Sequence, residues 1–170
     1  MLKYVYMEQN KMRYVLGLLR LAMGWIFLWA FLDKLLGLGF ATLPDKAWLS
    51  GGSPTSGFLQ FGVHGPFASF YQSLADSALV DWLFMLGLLF IGVSLMFGIF
   101  MRLGSSVGML MLFLMYTAVG LSPVNNLFID EHIIYILVLI ILVLTDAGQY
   151  LGMGNRWGDT SLVRKYRFLK

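Results

Sequence analysis

Asp130, Glu131 and His132 stand in a row, just after Asn125 and Asn126, and open an apolar run. A carboxylate beside an imidazole can take up and release protons near neutral pH. Asp33 and Lys34 close another apolar run. If the two places meet, a lysine, a histidine and carboxylates stand among aromatics, a set suited to the carbonyl head of a quinone. Lys34 would stabilise negative charge developing on the head-group oxygen, and His132 or Glu131 would pass protons. Arg20, Asp33 and Asn126 are the candidate quinone-holding groups. The expectation is that Asp33 or Lys34 lies within direct or water-bridged reach of Glu131 or His132, beneath the segment 40–79. The plainer alternatives are that Asp130 or Glu131 caps a helix, or that a salt bridge only ties two helices. No metal site is expected, because His132 and its acidic neighbours lack the i, i+4 spacing that puts two ligands on one helix face.

These residues sit in a chain that is 59% hydrophobic and 12% charged over 170 residues, with a mean hydropathy of +0.77. Soluble domains do not have this composition, and the class it points to is integral membrane protein. The chain has no cysteine, which excludes a disulfide framework, an iron–sulfur cluster and a thiol nucleophile of its own. No P-loop, dinucleotide fingerprint or serine-hydrolase elbow is present.

Val15 to Gly39 reads as one long apolar helix carrying Arg20, Asp33 and Lys34. About 20 apolar residues cross a hydrocarbon core of about 30 Å, and ionisable groups at that depth are costly. At about 100° per residue Arg20, Gly24, Phe27, Phe31 and Lys34 share one stripe. Arg20 either faces the bundle interior or snorkels to the headgroups through its alkyl stem. Further spans are expected at 81–101, 103–121 and 130–150, the middle two joined as a hairpin at Arg102–Leu103–Gly104. The strictly apolar part of the last span, Ile133 to Thr145, is short for a bilayer, which pushes its flanking polar residues toward membrane depth. Between the first two spans, 40–79 is expected to hold two short aromatic-rich helices, Pro54 to about Val63 and Pro66 to about Ala75, at the membrane interface. Residues 1–14 read as a short tail or surface helix, and 151–170 as a polar, basic tail.

Ten of the twelve Lys and Arg residues fall on the side of the two termini; only Lys34 and Lys46 fall on the other. The positive-inside rule then predicts four spans in the cell membrane with both termini cytoplasmic. The basic tail suits anionic lipid better than nucleic acid. The expected fold is all-α: an integral membrane four-helix bundle with short interfacial helices in its first outer loop.

Several stretches together resemble the DoxX family of small four-helix membrane proteins: RLAMGWIFLWAFLDKLLG at 20–37, WLSGGSPTSGFL at 48–59, GPFASFY at 65–71, DWLFMLGLLFIGVSLMFGIFMRLG at 81–104 and DEHIIYILVL at 130–139. Arg20, Gly24 and Lys34 match the family's opening-helix pattern. The family is related to DoxD, the membrane subunit of a thiosulfate:quinone oxidoreductase. The resemblance implies a membrane subunit of a quinone-linked oxidoreductase, in sulfur or thiol oxidation, with quinone as its cofactor. The alternative is a non-catalytic scaffold or anchor of a redox complex. Lacking cysteine, the chain would need a partner redox subunit for any thiol or sulfur step; a homo-oligomer is the other expected assembly.

Overall fold

The computed structural model describes residues 2–121 and 126–170, with side chains from residue 9 onward. Among these residues the chain is helical and has no strand. Helix α1 (Leu2–Leu36) is continuous over 35 residues, about 52 Å at 1.5 Å per residue. Residues 2–14, read as a short tail or surface helix, are continuous with the apolar stretch in this one helix. They contain no glycine or proline to interrupt it. The helix stops where Gly37 takes φ +66° and its N–H bonds to the Asp33 carbonyl at 2.8 Å, a left-handed C-terminal stop.

Single turns at Pro44–Lys46 and Trp48–Ser50 follow. A wide turn at Phe58–Gly62 and helix α2 (Ala68–Gln72) occupy the places expected for two short helices, and each is shorter than expected. Helices α3 (Ala78–Phe97) and α4 (Met101–Ala118) form the hairpin. Its turn lies at Gly98 (φ +72°) and Phe100 (φ 51°), several residues before the expected Arg102–Gly104 junction. Gly104 instead lies inside α4, where a Cβ would meet the Ser94 side chain of α3; it permits close packing rather than a turn. Helix α5 (Glu131–Leu144) has 14 residues, about 21 Å, so the shortness expected of the last apolar run is present.

Among the described residues, three helical stretches are long and apolar enough to cross a membrane: Gln9–Leu36, Ala78–Phe97 and Met101–Ala118. Helix α1 packs on α3, α3 on α4, and α4 on α5, while α1 and α5 barely touch. The shared core includes Met23, Phe27, Met85, Ile91, Leu95, Leu112, Leu139 and Leu142. Trp25, Leu86, Phe113 and Ile141 lie exposed on the outside, as side chains facing lipid would.

Helices α6 (Gly154–Gly158) and α7 (Ser161–Lys165) follow a turn at Ala147–Gln149. The segment 151–170 is folded back, not a free tail. The Arg102 N–H bonds to the Lys170 carbonyl at 3.1 Å, Lys170 Nζ pairs with Asp146 at 2.9 Å, and Trp157 Nε1 donates to the Leu169 carbonyl at 2.7 Å.

Candidate functional site

The Asp130–Glu131–His132 group forms the N-terminus of α5. Asp130 is its cap: Oδ1 accepts the His132 N–H at 3.0 Å and the Ile133 N–H at 3.3 Å. Its other oxygen, Oδ2, lies 2.8 Å from His132 Nδ1. One carboxylate thus satisfies two helix-end donors that would otherwise be orphaned and also orients the imidazole. His132 is buried and Glu131 is exposed. One ligand atom from each of the three residues lies within 4.8 Å of the others. This closeness comes from the capping turn, which folds Asp130 back over its neighbours, and His132 Nδ1 is engaged with Asp130. The spacing rule for one helix face did not anticipate it. Asn126 is exposed, and Asn125 lies outside the described residues.

At the end of α1, Asp33 is 2% exposed. Its oxygens accept the N–H groups of Phe40 and Ala41 at 3.2 and 3.0 Å. The chain that folds back this way brings the Phe40 ring edge-on to Trp29, with centroids 5.1 Å apart. Asp33 is therefore the clamp of the turn leaving α1. Lys34 is half-buried and has no ion pair among the described residues. No hydrogen bond or ion pair joins Asp33 or Lys34 to Glu131 or His132 among the described residues. The packing order fits this: α1 packs chiefly on α3 and α5 on α4, and α1 and α5 meet only marginally.

The segment 40–79 does cover this end, through contacts the sequence reading did not single out. Asp81, in the first turn of α3, is buried. It accepts from Thr55 Oγ1 at 2.6 Å, Ser53 Oγ at 2.8 Å and the Thr55 N–H at 3.3 Å. Tyr71 OH and Thr117 Oγ1 are 2.6 Å apart, and the His64 N–H bonds to the Ala118 carbonyl at 2.9 Å. Leu59, Val63, Tyr71 and Ala118 form a small apolar core beneath. A Ser/Thr-rich turn followed about 25 residues later by a lone Asp at a helix start was the available signal for Asp81.

Arg20 is wholly enclosed, which settles its side: it faces the interior and does not snorkel. Nη1 donates to the Leu95 and Met96 carbonyls, the latter at 2.9 Å. Nη2 donates to the Tyr150 and Leu151 carbonyls at 3.1 and 2.9 Å. Leu95 and Met96 belong to the last turn of α3, whose carbonyls have no partners within the helix and carry the negative end of its dipole. Gly24 makes the approach feasible, since a Cβ there would lie 2.9 Å from the Met96 nitrogen. A Cβ at Gly152 would lie 2.9 Å from Arg20 Nη2. Arg20 and Asp33, the residues expected to hold a quinone, are thus both enclosed and engaged by backbone groups.

Among the described residues, the cavities at this same end include two. One, of about 10 Å³, lies among Gly98, Met101, Gly148 and Trp157, room for a single water. The other is a cleft of about 320 Å³ lined by Asn10, Arg13, Tyr14, Tyr150 and Leu151. Neither includes Lys34, Glu131 or His132. Compared with family models, curated proteins and solved structures, the chain matches none.

Proposed function

We propose that the chain is a DoxX-like four-helix membrane subunit of a quinone-linked oxidoreductase, with α5 as its fourth span and both termini cytoplasmic. The observation that supports this reading is the Asp130–His132 pair at the buried head of α5. A carboxylate fixed on Nδ1 sets the tautomer and orientation of the ring and leaves its other nitrogen for proton exchange, the arrangement a proton carrier needs. Reducing a quinone to a quinol takes two electrons and two protons. His132 would deliver protons, with exposed Glu131 exchanging them with water. Lys34 would be a cation for the head-group oxygen. The electrons would come from a partner subunit that oxidises a sulfur or thiol compound, since the chain has no cysteine of its own.

The second reading is an anchor of a redox complex without chemistry of its own. What favours it is that Arg20, Asp33 and Asp81 all serve to hold segments of the chain together. One experiment separates the two. Purified protein is assayed for bound quinone and for thiosulfate-dependent reduction of a soluble quinone analogue in the presence of its co-purifying partners. The first reading expects bound quinone and turnover that His132→Gln lowers by about 10²-fold or more with the fold intact. Partners without quinone, or turnover indifferent to His132→Gln, leave the anchor.

A further inference from the structure

The cleft at the start of α1 belongs to neither reading. It lies where the apolar stretch Gln9–Leu36 begins, between α1 and the segment following α5. Its wall on the α1 side is Asn10, Arg13 and Tyr14; the facing wall is Tyr150 and Leu151. The Arg13 guanidinium stands 5.8 Å from the Tyr150 ring centroid, and Arg13 is exposed with no carboxylate partner among the described residues. The facing wall is held in place from below, because the Tyr150 and Leu151 carbonyls are the ones that Arg20 binds.

Charge and apolarity both select the occupant. This end of the molecule carries ten of the twelve Lys and Arg residues and only three of the nine carboxylates, Glu8, Asp146 and Asp159, so an anion is attracted. Tyr14 and Leu151 in the cleft lining are exposed apolar side chains, and Val15 and Leu18, exposed further along α1, lead on into its apolar stretch. A free inorganic anion would leave that track unused, whereas a lipid would lay an acyl chain on it. The geometry points to a site for the phosphate headgroup of an anionic membrane lipid, held by Arg13 and Asn10 with Tyr150 stacked behind the guanidinium.

The test is native mass spectrometry of the delipidated full chain in neutral detergent. It is titrated separately with dioleoylphosphatidylglycerol, dioleoylphosphatidylcholine and inorganic phosphate. The expected result is about a fivefold or greater preference for phosphatidylglycerol over phosphatidylcholine, reduced to near parity by Arg13→Gln. Lys11→Gln, a neighbouring exposed charge outside the cleft lining, should keep the preference, as should most of it in Arg13→Lys. Equal binding of both lipids, or a preference that Arg13→Gln leaves unchanged, overturns the site and assigns any lipid selectivity to the basic surface at large. Displacement of phosphatidylglycerol by millimolar phosphate would overturn the lipid in favour of a free anion. Circular dichroism of the Arg13→Gln protein guards against misfolding. If that variant is altered, Tyr150→Leu, which keeps the backbone carbonyl for Arg20, should lower the preference in its place.

Discussion

At the basic end a guanidinium sits among four backbone carbonyls. At the opposite end Asp33 sits among backbone amides and Asp81 among hydroxyls and an amide. The polarity is reversed and the device is the same: a charge at or near membrane depth is solvated by the dipoles of the chain, not by an opposite charge. The ends differ in what they tie. Arg20 joins three parts of the body, namely α1, the end of α3 and the segment after α5. Asp33 and Asp81 each fasten one stretch of loop to one helix. Loss of the first should loosen the whole body, and loss of the others should loosen a cover.

Arg20→Met should have the largest effect. It leaves four buried or part-buried carbonyls without donors, and each unmet acceptor of this kind costs about 1–3 kcal/mol. Chemical or thermal unfolding in detergent reads it, and an unchanged midpoint would erase the contrast between the two ends. Gly24→Leu should come next. Its side chain must displace Leu95 and Met96 from α1, at about 1–3 kcal/mol, and should lower the same midpoint.

Asp81→Ala leaves the hydroxyls of Ser53 and Thr55 without their acceptor. It should cost about 1–3 kcal/mol, appearing as faster proteolysis within 40–79 while α1, α3 and α4 stay protected. Uniform loss of protection would make Asp81 a body residue like Arg20. Asp130→Ala removes the α5 cap at about 1 kcal/mol, and Asp130→Asn should recover most of it because its oxygen still accepts. The smallest effect is expected from cysteines at Ser53 and Ser161. Ser161→Cys should leave stability unchanged, Ser53→Cys should weaken its one contact with Asp81, and only the Ser53 site should label from outside intact cells. The reverse pattern would invert the two ends.

The helical body was legible because apolar run length and small residues at helix contacts write themselves into a sequence: the first span, Gly24 at a close approach and the short last run were all visible. The hairpin turn was displaced because either Gly98 or Gly104 could mark it. Only packing shows that Gly104 lies against Ser94 while Gly98 takes the left-handed turn. The polar partners were hidden for a different reason. Reading a sequence pairs Lys34 with Glu131 because both are charged. The partners that Asp33 and Arg20 actually take are backbone amides and carbonyls, which every residue carries and no residue type announces. The return of 151–170 onto the body was hidden likewise, apart from the one pair Lys170–Asp146.

Arg20→Lys tests the central claim most directly, because it keeps the charge and removes the fork. An ammonium offers three donors from one point and cannot reach two pairs of carbonyls on different segments. Measured by unfolding in the same detergent, Arg20→Lys should fall well below the parent, recovering only part of the loss seen in Arg20→Met. A midpoint equal to the parent's would show that charge alone matters at this position and that the carbonyl cage does not hold the three segments together.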